Sequence, residues 1–267
     1  MPNIVPLHDP ADPRLEPYLR VRERDLVGRG GGFIAEGEVV LRALLGPASR
    51  CRARSLLIAA NRLDRLDPLL AGLAADVPVY AASQAVMDGA VGFHIHRGIL
   101  AYGERPPDPG AAALLDGLPK LARVVALFGV ANHDNMGGVF RNAAAFGASA
   151  IILDPTSCDP LYRKAIRVSV GAALTVPFAR LAPGEDAVAR LQAAGFEVLA
   201  LTPGGRERLE DVAPGPRTAL LLGAEGPGLP ANLIARARSI SIAMAPGWDS
   251  LNLAAASAVA LHHLGRL

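Results

Sequence analysis

Several kinds of residue are scarce in this 267-residue sequence, and each shortage excludes a class of protein. Two cysteines, Cys51 and Cys158, cannot form a disulfide framework and are typical of a protein in the reducing cytoplasm. No apolar run reaches membrane-spanning length, because Gly, Pro or Arg interrupts each one. The N-terminal sequence MPNIVPLHDPADPR lacks a basic segment followed by an apolar one, so we expect no export signal. The sequence therefore predicts a cytoplasmic protein without a membrane segment.

Net positive charge is also small. The chain has 27 Lys and Arg against 25 Asp and Glu, for a formal net charge of +2, so any affinity for nucleic acid must come from local patches. Lysine is almost absent, since Lys120 and Lys164 are the two lysines among these cations. Arginine favours bidentate phosphate contact and stacking, although a GC-rich genome would explain the same bias. Hydrophobic residues make up 51% and charged residues 19% of the chain, which is typical of an ordered globular protein.

The first hundred or so residues alternate apolar strands with helical stretches. Strands are predicted over GFIAEG (Gly32–Gly37), SLLIAA (Ser55–Ala60) and VPVYAA (Val77–Ala82), and a strand pair over GFHIHRGILAYG (Gly92–Gly103). His94 and His96 alternate on this last stretch without a companion Cys or carboxylate cluster, so no metal site is expected. ERPPDPGA (Glu104–Ala111) then shifts to Pro, Gly and charge, which is typical of an interdomain linker.

From Ala122 the alternation restarts with stronger apolar strands. The predicted strands are RVVALFGV, ASAIILDP, FEVLAL (Phe196–Leu201), TALLLG (Thr218–Gly223) and SISIAMA, and the final helix is LNLAAASAVALHHL. Near-continuous apolar strands that alternate with helices predict a parallel α/β sheet.

Three segments that combine glycine with polar residues follow strands of this sheet. They are NHDNMGGVFRNAAAFGA (Asn132–Ala148), GAEGPGLP (Gly223–Pro230) and APGWDSLNL (Ala245–Leu253). Ligands of open α/β sheets bind at the carboxyl ends of strands, and glycine lets the main chain approach them closely. No segment reads as a dinucleotide fingerprint or a phosphate-binding loop, which disfavours a nucleotide-dependent oxidoreductase. The three segments predict a ligand site of another kind.

In order and spacing, these segments resemble the three motifs of the SpoU/TrmH family of RNA ribose methyltransferases, part of the SPOUT superfamily. The matching patterns are N-x-x-N-x-G-x-x-x-R-x-A-x-x-F-G, G-x-E-G-x-G-L, and I-x-M followed by S-L-N. SCDPLYRKAIRVSVGAAL resembles the family segment between the first two motifs. FIAEGEVVLRALL and HRGILAYG are similar to the family's smaller RNA-binding domain.

The resemblance implies a parallel-sheet α/β methyltransferase domain with a C-terminal trefoil knot, preceded by a smaller α/β RNA-binding domain. We expect the RNA-binding domain over 1–105, a linker over 106–119 and the methyltransferase domain over 120–267. The family works as a homodimer with S-adenosylmethionine and methylates a ribose 2′-hydroxyl. Ribosomal RNA is favoured over transfer RNA, because an added RNA-binding domain suits a large folded target. The alternative is a non-catalytic RNA-binding protein that kept the fold.

Catalytic roles are implied by the resemblance for Asn135, Arg141, Glu225, Ser250 and Asn252. Arg141 would contact the target phosphate and assist loss of the hydroxyl proton, with Glu225 paired to its guanidinium. Free Arg titrates above about 12, so we favour stabilisation of a developing alkoxide, with the proton lost through phosphate or water. The alternative for Arg141 is a solvated helix surface; for Asn135 it is a plain N-cap. Ser250 and Asn252 could instead belong to helix capping, with Asp249 or Ser250 as the N-cap.

Cofactor contacts, mostly through main-chain atoms, are implied for Thr202, Gly223, Gly226, Ile242, Met244 and Leu251. Trp248, the single tryptophan, could stack on a base or cover the dimer contact. RNA phosphates are expected to contact the arginine clusters of the N-terminal domain, Arg20, Arg22, Arg24 and Arg29 with Arg50, Arg52 and Arg54.

Overall fold

The computed structural model describes residues 2–19 and 31–265. Of the N-terminal arginines expected to contact RNA, Arg20, Arg22, Arg24 and Arg29 lie outside these described residues. In the part of the chain that is described, no helix combines the length and apolarity needed to cross a bilayer.

The secondary structure alternates strands with short helices along almost the whole chain. In chain order the strands are β1 (Asn3–Leu7), β2 (Gly32–Glu36), β3 (Arg52–Ala59), β4 (Pro78–Ala82), β5 (Ile99–Glu104), β6 (Ala122–Phe128), β7 (Ala150–Leu153), β8 (Phe178–Arg180), β9 (Glu197–Leu201), β10 (Glu207–Arg208), β11 (Arg217–Gly223) and β12 (Arg238–Ser241). The helices are α1 (Glu38–Leu45), α2 (Leu63–Leu70), α3 (Gln84–Val91), α4 (Gly110–Asp116), α5 (His133–Ala145), α6 (Arg163–Val168), α7 (Ala187–Ala193), α8 (Ala231–Ile234) and α9 (Leu253–Leu264).

The chain divides into two compact units. The first comprises Met1–Pro106 with Leu161–Thr175, and the second comprises Pro107–Pro160 with Val176–Leu267. Segment 161–175, which the sequence places in the C-terminal domain, therefore packs with the N-terminal residues. Its partners explain why: Arg163 forms an ion pair with the buried Glu36 at 2.8 Å, and Gly171 lies against Ala43 of α1.

The first unit is built on a mixed five-stranded sheet in the order β1-β4-β3-β5-β2. β1 and β3 pair in parallel with β4, whereas β5 is antiparallel to both β3 and β2. The strand pair predicted over Gly92–Gly103 is wrong in its first half. Residues 92–98 form a loop between α3 and β5, because α3 ends at Gly92 in a left-handed conformation and polar side chains of α3 bind the loop backbone.

The second unit contains a seven-stranded sheet in the order β10-β12-β9-β11-β6-β7-β8. Its neighbouring strands pair in parallel, which confirms the predicted parallel α/β sheet. The central strands are apolar on both faces, since all seven residues of β6 are buried. One of these seven residues is charged: Arg123 donates from Nε to the Leu264 oxygen and from Nη1 to the Pro216 oxygen, which offsets part of the cost of its burial, while its Nη2 has no partner among the described residues.

The predicted linker contains an ordered helix of the second unit. Ala111 and Leu115 of α4 are buried in the core of that unit. The guanidinium of Arg217 donates to the main-chain oxygens of Leu115, Leu118 and Pro119, and its carbon lies 4.3 Å from the ring centre of Phe196. The boundary between the units thus falls near residue 106 rather than after a linker ending at 119.

The order of this sheet decides which loops meet. β12, β9, β11 and β6 are consecutive neighbours and parallel, so the loops that leave their carboxyl ends share one edge. The three glycine-containing segments of the sequence follow β6, β11 and β12.

Candidate functional site

A cleft of about 740 Å³ lies at this edge of the second unit. Ligand sites in proteins usually have volumes of this order. The structure brings nine of the residues singled out from the sequence into its lining: Thr202, Gly223, Glu225, Gly226, Ile242, Met244, Ser250, Leu251 and Asn252. Residues from the loops after β9, β11 and β12 therefore face one space, whereas the loop after β6 contributes none of the described lining residues.

The loop after β11 needs glycine to close on itself. A Cβ atom at Gly223 would lie 2.2 Å from the carbonyl carbon of Gly228 and 2.3 Å from the nitrogen of Leu229. Gly226 and Gly228 have positive φ angles of +86° and +68°, a region that other residues rarely adopt. The Gly228 N–H donates to the Ala224 oxygen at 3.0 Å and closes the turn. The loop thus presents main chain, rather than side chains, to the cleft.

Apolar walls and main-chain donors occur together in the cleft. Leu222, Ile234 and Met244 supply apolar surface. Within the described chain, the N–H groups of Ile242, Met244 and Leu251 donate to no other protein group. A ligand with both apolar and hydrogen-bonding parts fits this combination.

Asn252 joins three parts of the site through one side chain. Its Oδ1 accepts hydrogen bonds from the N–H groups of Ala254 and Ala255 and caps α9. Its Nδ2 donates to Asn135 Oδ1 and to Glu225 Oε1, both at 2.8 Å. The cap of this helix is therefore Asn252 and neither Asp249 nor Ser250, the two residues named as the capping alternative. Ser250 Oγ instead lies 3.2 Å from Asp249 Oδ1.

The first motif forms the start of α5. Asn132, not Asn135, is its N-cap and accepts from the N–H of Asp134 at 2.8 Å. Asn135 lies in the first turn and is 4% exposed, so its amide oxygen depends on the hydrogen bond from Asn252. The helix ends as predicted, with Gly147 at φ +70° and the Ala148 N–H bonded to the Ala143 oxygen.

Arg141 is the one predicted catalytic side chain that the structure leaves apart from the others. It is exposed on α5, does not line the cleft, and forms no ion pair with the described residues. The expected Arg141–Glu225 pair is therefore wrong for the single chain: the Glu225 carboxylate is exposed and accepts from Asn252 instead. Without an ion-pair partner in the described chain, the Arg141 guanidinium can bind an anion.

Close packing between α5 and α9 sets the position of Asn252 relative to Asn135. A Cβ atom at Gly138 would lie 2.5 Å from the Cβ of Ala254, so glycine allows the two helices to touch. Asn142 Nδ2 donates to the Ala254 oxygen at 2.7 Å and to Ser257 Oγ at 2.8 Å. Sequence reasoning missed Asn142, although its place on the same motif helix as Asn135 was visible.

A second network that the sequence did not reveal fixes the loop before α5. Asp154, just after β7, accepts hydrogen bonds from the N–H of Gly129 at 3.1 Å and from Ser157 N and Oγ. Burial alone would raise the pKa of Asp154, but the hydrogen bonds from Ser157, Thr156 and Gly129 outweigh it and lower the pKa below its usual value. Arg180 also donates to the main-chain oxygens of Asp154 and Ser157.

No group of three His, Cys, Asp or Glu side chains in the described residues could hold a metal ion. The arrangement instead offers amide, carboxylate and main-chain groups around a partly apolar cleft. Such a site can bind and orient an organic ligand, and the exposed Arg141 at its motif helix can attract an anion.

The chain is similar to known proteins over most of its length. A model of the SpoU rRNA Methylase family matches residues 122–262. An uncharacterized tRNA/rRNA methyltransferase of Mycobacterium bovis is 41% identical over 275 residues, covering 96% of this chain and 92% of that protein. The structure of an AdoMet-bound rRNA methyltransferase from Sinorhizobium meliloti superposes with a TM-score of 0.81 at 25% identity, covering 98% of both chains. A SpoU methyltransferase, AviRb, from Streptomyces viridochromogenes has the same fold, with a TM-score of 0.78 at 24% identity over 96% of this chain and 97% of that one.

Proposed function

Since this chain belongs to the SpoU rRNA methylase family of RNA methyltransferases, we propose that it transfers a methyl group to a ribose 2′-hydroxyl of a structured RNA. The observation that carries this proposal is the hydrogen-bonded set Asn135–Asn252–Glu225 at the rim of the cleft. It combines a residue from each of the three motifs. A non-catalytic RNA-binding protein would have no need of such a set beside a ligand cleft.

S-adenosylmethionine is the cofactor that fits the cleft. It supplies an electrophilic methyl group on a sulfonium centre. The apolar walls suit its adenine ring, and the free N–H groups of Ile242, Met244 and Leu251 suit its polar edges. Thr202, Gly223 and Gly226 complete the lining on the other loops. The volume and the mixture of donors and apolar surface thus meet the needs of this group.

The protein's own task is to position the hydroxyl and stabilise the charge that develops on it. A ribose 2′-hydroxyl is a weak nucleophile, so it must be held in line with the transferred methyl group. We assign Arg141 to the RNA phosphate and to the developing alkoxide, because a guanidinium stays protonated and binds oxyanions. Asn252 keeps Glu225 and Asn135 in place, and Ser250 adds a hydroxyl at the same rim.

A second copy of the chain would complete this arrangement. Trp248 and Leu251, in the third-motif loop, and Val259 of α9 are 75%, 44% and 43% exposed. Large exposed apolar side chains favour a protein contact, so we propose a homodimer through the third-motif loop and α9. We further propose that the second unit contains a C-terminal trefoil knot, that the protein is cytoplasmic, and that it prefers ribosomal RNA to transfer RNA.

Methyl transfer tests the function and the role of Arg141 together. Purified protein is incubated with radiolabelled S-adenosylmethionine and total RNA, and incorporation is measured for the wild type, Arg141→Ala and Arg190→Ala. Arg190, partly exposed on α7, is a matched control whose ion pair with Glu185 lies away from the cleft. We expect Arg141→Ala to lose a factor on the order of 100 or more, the scale of a positioned catalytic group.

Binding of S-adenosylmethionine, measured by calorimetry, should be nearly unchanged in Arg141→Ala, because Arg141 does not line the cleft. Near-normal turnover in that variant would contradict the role of Arg141. RNA binding without any methyl transfer by the wild type would favour the non-catalytic alternative.

A further inference from the structure

The side chains that line the cleft of the second unit carry negative charge. Two carboxylates, Glu225 and Asp249, are among the lining residues. No lysine, arginine or histidine is among the described residues that line the cleft. Arg141 lies on α5 outside this lining and is assigned to the RNA phosphate. A ligand in the cleft therefore meets two formal negative charges and no formal positive charge from the described lining.

A tight turn carries Asp249 to the rim of the cleft. Pro246 and Gly247 occupy the two central positions of the turn, and Gly247 has a φ of +87°. The Trp248 N–H donates to the Ala245 oxygen at 3.2 Å and closes it. Proline followed by glycine with a positive φ is typical of such a turn, which fixes the direction in which the chain leaves it. Asp249 follows directly and lines the cleft.

Neither carboxylate is neutralised by a cation of the described chain. Glu225 accepts a hydrogen bond from the neutral amide of Asn252, and Asp249 accepts one from the hydroxyl of Ser250. Both acidic side chains are exposed, and neither forms an ion pair with the described residues. The N-terminus of α9, at Leu253, also lines the cleft and supplies roughly half a positive charge. This partial charge offsets only a fraction of two full negative charges.

The charge of the cofactor changes at one atom in the proposed reaction. S-adenosylmethionine has a sulfonium cation, an ammonium cation and one carboxylate, so it carries a net positive charge. Methyl transfer breaks the bond between the methyl carbon and sulfur and leaves the electron pair on sulfur. The 2′-hydroxyl oxygen forms the new bond to carbon and loses its proton to water or phosphate. The product S-adenosylhomocysteine keeps the ammonium and the carboxylate but is neutral at sulfur.

We propose that Asp249 determines a preference of the cleft for the sulfonium cofactor over its neutral product, with Glu225 adding to the same field. Opposite charges attract across several Å, and a partly apolar cleft screens them less than bulk water does. Leu222, Ile234 and Met244 supply that apolar surface. The attraction ends once the methyl group has left sulfur, so the product dissociates more readily than the cofactor. This inference rests on the proposed function, because it needs S-adenosylmethionine in the cleft.

Calorimetry with three ligands tests the inference in the absence of RNA. The ligands are S-adenosylmethionine, S-adenosylhomocysteine and sinefungin, in which a protonated amine on carbon replaces the methylsulfonium group. They are titrated into the wild-type protein, Asp249→Asn, Asp249→Glu and Asp116→Asn. Asp116, exposed at the end of α4, is the matched control, because its substitution removes the same charge outside the cleft.

We expect Asp249→Asn to bind S-adenosylmethionine and sinefungin about fivefold more weakly and to bind S-adenosylhomocysteine with less than about a twofold change. Asp249→Glu keeps the carboxylate and should bind all three ligands as the wild type does, so that the losses in Asp249→Asn are assigned to charge. The ratio of the wild-type affinities for S-adenosylmethionine and S-adenosylhomocysteine should also fall from about 0.1 M to about 1 M salt. Screening lengths at these concentrations are about 10 Å and about 3 Å.

The outcomes separate this inference from the proposed function. Equal losses for all three ligands in Asp249→Asn would indicate contact with the shared ammonium group or a structural role, and would overturn the inference even if RNA is methylated. Unchanged affinities in Asp249→Asn, or the same losses in Asp116→Asn, would overturn it as well. A selective loss for the two ligands with the extra positive charge supports it, even if the wild type methylates no RNA and the proposed function fails. A wild type that binds none of the three ligands overturns both.

Discussion

At the residue scale, Asn252 is the side chain that connects the most parts of the candidate site. One amide caps α9 through its oxygen and holds Asn135 and Glu225 through its nitrogen. Loss of a cap costs about 1 kcal/mol, and a buried polar atom left without a partner costs about 1–3 kcal/mol. Asn135 is buried, so both penalties apply when Asn252 is removed.

We therefore expect Asn252→Ala to lower the free energy of unfolding by about 2–4 kcal/mol and to reduce methyl transfer strongly. Urea unfolding and the incorporation assay measure the two effects. Ser83→Ala is the matched control, because Ser83 also caps a helix, accepting from the Val86 N–H at 3.3 Å, but lies outside the cleft. Equal losses of activity in both variants would show that capping alone matters.

Asp154 gives a prediction about pH. Its pKa in the folded protein is lowered, so its hydrogen bonds stabilise the fold above the unfolded pKa of about 3.9 and this contribution is lost as the pH falls through the folded value. Asp154→Asn should cost about 2 kcal/mol at pH 7 and progressively less in acid. Urea unfolding of both proteins at pH 7 and near pH 3 measures this difference, with the exposed Asp116→Asn as control. A difference independent of pH would contradict the role of the carboxylate.

At the scale of elements, the contact between α5 and α9 holds the first and third motifs next to each other. Gly138→Ala would place a methyl group 2.5 Å from the Cβ of Ala254, which requires the helices to separate. Overpacking of this kind costs about 1–3 kcal/mol, and we expect activity to fall because Asn252 moves away from Asn135. The double variant Gly138→Ala/Ala254→Gly should recover most of the lost stability and most of the lost activity.

Thermal unfolding and the methylation assay test this helix contact. Gly72→Ala, where a Cβ would meet no atom within 4 Å, is expected to change stability by less than about 0.5 kcal/mol. If the second substitution restores nothing, the effect of Gly138→Ala has another cause than the contact with Ala254.

Elements with strong periodicity were predictable, and those fixed by distant partners were not. The strands β6, β9 and β11 follow from apolar runs, and the stop of α5 follows from Gly147. The caps offered as alternatives, Asn135 for α5 and Asp249 or Ser250 for α9, lie two or three residues from the observed caps Asn132 and Asn252. All five residues are of types that cap helices well or acceptably, so the sequence alone does not choose among them. Their choice depends on the contact between α5 and α9, which no local pattern specifies.

At the scale of the whole molecule, the division into units shows the same limit. Segment 161–175 has no compositional break from its neighbours, yet Arg163 and Gly171 find their partners in Glu36 and Ala43. The position of the cleft was easier to predict, because loops that follow neighbouring parallel strands lie at the same edge of the sheet. The roles of its residues rested on the family resemblance, and the absent Arg141–Glu225 pair shows where a single chain departs from that expectation.

The proposed homodimer predicts a particle of twice the chain mass, about 55 kDa from the 27.7 kDa chain, at micromolar concentration. Multi-angle light scattering measures it. Val259→Lys, which places a charge on the exposed apolar face of α9, should shift the protein towards monomer, whereas Val39→Lys on α1, 54% exposed, should not. A monomeric wild type at this concentration would contradict the dimer.

The central claim is methylation of the ribose 2′-hydroxyl, and nucleoside mass spectrometry tests it most directly. RNA modified by the wild-type protein with S-adenosylmethionine is digested to nucleosides, and the position of the new methyl group is read from the fragment masses. We expect the added mass to remain with the ribose, and its yield to fall strongly when Asn252→Ala replaces the wild type. A methyl group found on the base, with unmodified ribose, would contradict it.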